Sequence, residues 1–183
     1  MSATRAQSGV TLVELMVTIA VLAILVTLAG PSFADFAERS ALRGAADGLT
    51  AAIGAAKEES IKRDRLVRVD FMPMGDAVCV GATAVATNVD AGCDCSTGAC
   101  AVAQYPESER DMRRVGLVGA PNFGGTTGFV FDPRTGMLDQ LANAGSLTLS
   151  TSRGYEVTVR VNATGRVSLC TPGDKGIAGV GAC

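Results

Sequence analysis

The chain has 183 residues, a formal net charge of −2, six Cys, and no His or Trp. Such a charge gives no broad attraction for nucleic acid, and a chain without His lacks the commonest general base and metal ligand. The length allows one domain with a core of its own beside a terminal segment.

From Val10 to Ala29 the only ionisable residue is Glu14, in a run of Val, Leu, Ile, Ala, Met and Thr. About twenty such residues at ~1.5 Å rise each make ~30 Å of helix, enough to cross a bilayer core. A lone carboxylate near the start of that helix is costly in lipid and calls for a partner. A cleaved secretory signal fits poorly. Its charged region would be Arg5 alone, the apolar core is too long and holds Glu14, and no small-x-small site follows. A plain transmembrane helix fits by length and leaves Glu14 unexplained. The third reading is a class III signal, in which the cut falls before the hydrophobic helix and the helix is kept.

Gly9-Val10 followed by Thr11-Leu12-Val13-Glu14-Leu15 resembles the N-terminus of the type IV pilin family, whose signature is Thr-Leu-(Ile/Val)-Glu-Leu. Glu14 is the fifth residue after the cut, where that family carries its glutamate, and Pro31 falls where many members have a helix-bending proline. The resemblance implies a leader of residues 1–9, removed after Gly9 by a prepilin peptidase that also N-methylates Val10. The new amine of Val10 is a cation in the membrane, and Glu14 of a neighbouring subunit is the group able to neutralise it. Pairing two buried charges recovers much of a penalty that either alone would suffer. At Gly30-Pro31 the missing N–H and the ring clash predict a bend.

Beyond Pro31 the residues Phe33, Phe36, Leu42, Ala45, Ala46, Leu49, Ala52, Ile53 and Ala56 recur at three- and four-residue steps, an apolar stripe read as core. Asp35, Glu38, Arg39, Arg43, Asp47, Lys57 and Glu58 make the opposite, polar face. Lys62-Arg63-Asp64-Arg65 ends the helix with positive charge where the macrodipole favours it. The expected layout is a helix over residues 10–64, with 10–30 in the membrane, and a β head over 65–183.

From Leu66 the period becomes two. Val67, Val69 and Phe71 alternate with Arg68 and Asp70, and Ala77–Ala82 reads as the hairpin partner across Pro73–Asp76. Residues 83–99 read as an irregular loop. Further strands are expected at Ala101–Tyr105, Arg114–Val118, Phe129–Phe131, Ser146–Ser150, Tyr155–Val161 and Arg166–Leu169, with a tight turn at Asn162–Gly165. The fold class is therefore α+β: a long bent helix packed on an antiparallel sheet or sandwich.

Six cysteines in an exported head point to disulfides rather than a metal, since Cys93-Asp94-Cys95-(x4)-Cys100 lacks the Cys-x2-Cys spacing of zinc sites. Cys170 closes a strand and Cys183 the Gly-rich tail, so these two are expected to pair. Cys79, Cys93, Cys95 and Cys100 leave three pairings open. A Cys93–Cys95 bridge is the least favoured, and each of these two is expected to reach Cys79 or Cys100.

No enzymatic constellation emerges, and no cofactor is expected. Gly124-Gly125-Thr126-Thr127-Gly128 lacks the Lys of a P-loop, and Glu107, Glu109, Asp132 and Asp139 have no paired spacing. Arg110, Arg113 and Arg114, near Tyr105, read as a charged strand edge.

The helix end Ala55–Arg63, the turn Phe131-Asp132-Pro133-Arg134-Thr135-Gly136 and Thr164-Gly165-Arg166-Val167 resemble the GspH/FimT/FimU branch of the pilin superfamily. The resemblance implies a minor pilin at or near a pilus tip that helps prime assembly. Its partners would be other major and minor pilins, the prepilin peptidase and an inner-membrane assembly platform. Before assembly it would be a single-pass inner-membrane protein with a periplasmic head, and afterwards part of an extracellular filament. A GspH-type pseudopilin of a type II secretion system shares every N-terminal feature. The cysteines incline the reading toward the FimT/FimU side. Some FimT-type pilins capture DNA through Gly-Arg-x-Arg. Here Gly165-Arg166-Val167-Ser168 keeps the first arginine only, and Arg153, Arg160, Arg166 and Lys175 are the candidate phosphate contacts.

Overall fold

A computed structural model describes residues 10–108 and 112–183, and for residues 28–31 the backbone alone. The chain divides into one unit ending at Ala37 and a second spanning Glu38–Cys183. Helix α1 runs Leu12–Arg63 with Lys62 and Arg63 in its last turn. Asp64 ends it with φ +48°, a left-handed residue of the kind that closes helices. The Ser60 hydroxyl donates to Arg65 O at 2.7 Å, which gives the turn a side-chain clamp. The bend expected at Gly30 and Pro31 falls on residues outside the described side chains.

Leu42, Ala45, Ala46, Leu49, Ile53 and Ala56 are fully buried, so the stripe forms core from Leu42 onward. Phe33 and Phe36 do not join it: they are 72% and 67% exposed. They precede Glu38, where the head unit begins, so periodicity continued past the point where the head supplies a partner surface.

The head holds two sheets. One is four-stranded in the order β3-β2-β1-β5, and the other five-stranded in the order β4-β6-β7-β8-β9. In the first, β1 (Leu66–Met74) and β2 (Ala77–Val85) form a hairpin whose turn is eased by Gly75 at φ +61°. β3 (Ala103–Tyr105) pairs with β2, and β5 (Gly128–Phe131) with β1. Val67, Val69 and Phe71 point into the core, as alternation requires. Phe71 stacks on Phe123 at 4.9 Å between centroids, and Phe129 meets Phe123 at 5.1 Å and Phe131 edge-on at 5.3 Å. Such offset and T-shaped contacts suit the ring quadrupoles.

The second sheet holds β4 (Gly116–Phe123), β6 (Gly145–Ser150), β7 (Glu156–Val161), β8 (Val167–Thr171) and β9 (Gly181–Ala182). Strand bounds differ from the sequence reading at several ends, and three of the differences have a cause in view. β4 starts after Arg114 because that residue has φ +76°, outside the extended region, and the strand continues to Phe123 across a register shift between Val118 and Asn122. β2 continues through Val85, since Ala84 and Val85 find Val67 and Leu66 opposite. β9 pairs in parallel with β8, making this sheet mixed, and a two-residue strand carries no periodicity from which to read it.

The six cysteines are joined as Cys79–Cys95, Cys93–Cys100 and Cys170–Cys183. The first two bridges interlace and hold the loop after β2 over the outer side of the first sheet. Its underside accommodates a part-buried ion pair, Arg68 Nε to Asp70 Oδ2 at 2.9 Å. Asp90 and Asp94 fasten the loop's turns. Their carboxyls are held below the usual range chiefly by hydrogen bonds from the Thr87 and Ser96 hydroxyls respectively.

Candidate functional site

At the N-terminal end, Val10 and Thr11 precede the helix. The Glu14 N–H donates to Thr11 Oγ1 at 3.2 Å, and the Thr11 N–H donates to Glu14 Oε2 at 3.4 Å. This is a capping box, so the Thr-x-x-Glu part of the signature is also a device that starts the helix sharply at Leu12. Among the described residues this one long hydrogen bond leaves most of the carboxylate's acceptor capacity unused. Around it Leu12, Val13, Leu15, Met16 and Val17 are all more than half exposed. A helix apolar all round requires a nonaqueous neighbour. No single helix among the described residues qualifies as a membrane span, but Leu12–Thr27 taken with Ser32–Arg63 does by length and composition. Gly9 lies outside the described residues.

The head motifs behind the resemblance converge on one packing node. Lys57 Nζ donates to Thr164 O at 3.1 Å. Gly165, at φ +69°, approaches so closely that a Cβ there would lie 2.8 Å from the Phe131 ring and 2.9 Å from Gly136 O. The Ser60 hydroxyl also lies 3.3 Å from Phe131 O. Helix end, Phe131–Gly136 turn and Gly165 thus meet because each supplies what the others need: a cation, carbonyls, and room for backbone. The node joins the end of α1 to the Phe131–Gly136 turn and to Gly165, while the Arg166 side chain beside it is exposed.

Glu38 departs from the polar face expected of it: it is 8% exposed. It lies four residues before Leu42 and so belongs to the same stripe, a signal available in the spacing. Its carboxylate accepts from Ser152 Oγ at 2.8 Å and the Arg153 N–H at 3.1 Å, with Arg153 Nε 3.8 Å away. The Ser152 hydrogen bond, aided by Thr151 and Arg153 against a burial penalty, holds its pKa below the ordinary carboxylate value. Its contribution to stability is therefore complete above the ordinary value and fades as pH falls through the lowered one. Beside it Arg39 donates to the Tyr155 hydroxyl at 2.9 Å, with its guanidinium 4.7 Å from the ring centroid. Lys175 lies 5.3 Å from the same centroid and donates to Arg153 O.

The four candidate phosphate contacts separate into two pairs. Arg153 and Lys175 meet at this turn before β7. Arg160 and Arg166 are exposed on the polar side of β7 and at the start of β8, where Arg160 stands directly opposite Ser168. Arg166 is anchored through its backbone N–H to Asn162 Oδ1 at 2.9 Å. Arg113 and Arg114 are exposed, and Arg110 and Glu109 lie outside the described residues. Gly124 and Gly125 form the turn from β4 toward β5, with φ of +64° and +86°. Asp132 and Asp139 serve loops, accepting from the Arg134 N–H and from Asn88 Nδ2.

A helix that begins at a capped Thr-Leu-Val-Glu signature and continues into a two-sheet head defines a type IV pilin-like protein, a minor pilin or pseudopilin with a class III signal. The prokaryotic N-terminal methylation motif matches residues 4–30, and the family described as Type II transport protein GspH matches residues 45–165. The chain belongs to the GspH family. That family is structural rather than catalytic, and pilins and pseudopilins assemble with other pilins after processing by prepilin peptidase. No curated protein and no solved structure matches the chain.

Proposed function

We propose that this protein is a minor pilin of a type IV pilus, cut after Gly9, N-methylated at Val10, and built in at or near the tip to prime assembly. The observation that carries the reading is Glu14: a carboxylate in an apolar helix with, among the described residues, a single long hydrogen bond to its own chain. It is the group able to receive the freed amine of an adjoining subunit. Gly30 and Pro31 would supply a bend in the membrane half, and the inner-membrane assembly platform would lift the subunit out. The three disulfides favour a pilus over a secretion pseudopilus, because an exposed tip gains most from a covalently closed loop and tail.

The GspH description of the matching family favours a second reading, a pseudopilin of a type II secretion system. A third, DNA capture, draws support from Arg160, which stands across from Ser168 and brings a second cation beside Arg166. One experiment separates the three. A deletion strain is expected to lose twitching while secretion continues. Loss of secretion with normal twitching would overturn the pilus reading. If an Arg160→Ala/Arg166→Ala copy restores twitching but not transformation, the arginine face captures DNA.

Processing is tested separately. Gly9→Leu is expected to accumulate the full-length form, detected by mass spectrometry of membranes, because only a residue without a side chain fits closely before the cut. Mature protein in that strain would move the cleavage site elsewhere.

A further inference from the structure

Glu38 and Arg39 are the first residues of the head unit along α1, and both side chains engage the turn before β7. The turn of helix they occupy has little apolar cover. Ser40 is exposed, Ala41 is only half-buried, and the first fully buried apolar side chain is Leu42. Helical turns without tertiary contact open readily, since propensity alone holds few residues. What holds this turn is a polar clasp: Glu38 on the Ser152 hydroxyl and Arg153 N–H, and Arg39 on Tyr155. Tyr155 is in turn braced by Lys175 on the tail that Cys170–Cys183 closes. One turn further, Arg43 donates to Ala178 O on that tail while pairing with Asp47.

We propose that this clasp is the stop for helix opening. Bending or unwinding that begins before Glu38 ends at Glu38–Arg39, and the segment from Leu42 onward stays folded in the head. The inference goes beyond the pilus reading and holds equally for a pseudopilin.

The test is amide hydrogen exchange on the full chain in detergent micelles. Opening of the turn 38–41 releases the N–H groups of Leu42, Arg43, Gly44 and Ala45, whose helical acceptors are four residues back. Glu38→Ala combined with Arg39→Met is expected to speed exchange at these four positions on the order of tenfold, while residues 53–60 are unchanged. Tyr155→Phe, which keeps the ring and removes only the acceptor for Arg39, is expected to give a smaller increase at the same positions. This milder variant carries the test if the double substitution does not fold. Unchanged rates at 42–45, or equal acceleration through residue 60, overturn the proposal.

Discussion

Glu14→Ala is expected to leave cleavage after Gly9 intact and to reduce incorporation into filaments by about two orders of magnitude. On the proposed function a processed subunit carries a cation at Val10, and in a packed bundle of apolar helices this cation would have no other counter-charge in residues 10–29 than a Glu14 carboxylate. Removing one partner of a buried pair strands the other, at a cost of ~3–5 kcal/mol, which is more than a hundredfold in an assembly equilibrium. The structure gives Glu14 a second role, as acceptor in the capping box with Thr11, and Ala removes both roles at once. Glu14→Gln separates them. Its amide oxygen still accepts from the Thr11 N–H, but it carries no charge. Gln is therefore expected to be nearly as defective as Ala, scored as sheared filament content against total mature protein. Full assembly of the Gln variant would assign Glu14 to helix capping and end the charge-pairing account.

The architecture was legible because the sequence changes period at one point. Apolar spacing of three and four holds through Ala56, and from Leu66 it becomes two, which separates a long helix from a set of strands. What escaped did so for identifiable reasons. Glu38 looked like a surface charge because residue type outweighed its position on the Leu42 stripe, and its partners Ser152 and Arg153 lie more than a hundred residues away in the chain. Phe33 and Phe36 looked like core because periodicity says where a side chain points and not whether anything faces it. Arg160 and Ser168 are neighbours only through the β7–β8 register, which a single strand pattern does not encode. The pairing among Cys79, Cys93, Cys95 and Cys100 stayed open for a similar reason: it depends on how the loop crosses β2. The glycine that permits that crossing is plain only in three dimensions.

That glycine is Gly81, and Gly81→Ala is expected to lower the melting temperature of the full chain by about 10 °C. A Cβ at this position would lie 2.4 Å from Cys100 Sγ, 2.9 Å from Cys93 Sγ and 3.1 Å from Cys95 Cβ. These atoms belong to both interlaced bridges, so none is the free end of a flexible side chain. The strand cannot retreat easily, because Gly81 is paired on one side with Asp70 and on the other with Gln104. Two responses remain. Either both bridges form under strain, costing ~1–3 kcal/mol as overpacked cores do, or one bridge fails to close, with the ~2–5 kcal/mol loss of a native disulfide. For a chain of this size each kcal/mol is worth about 2–4 °C, so both routes reach a drop of this order. Counting free thiols in the folded protein distinguishes them: none in the first case, two in the second. Gly54→Ala supplies the contrast, since nothing lies within 4 Å of a Cβ there and the residue is in mid-helix. It is expected to stabilise by up to ~1 kcal/mol through helix propensity. An unchanged melting temperature for Gly81→Ala, with all thiols oxidised, would mean that the loop tolerates a methyl group beneath it and that close approach at Gly81 does not hold it to the sheet.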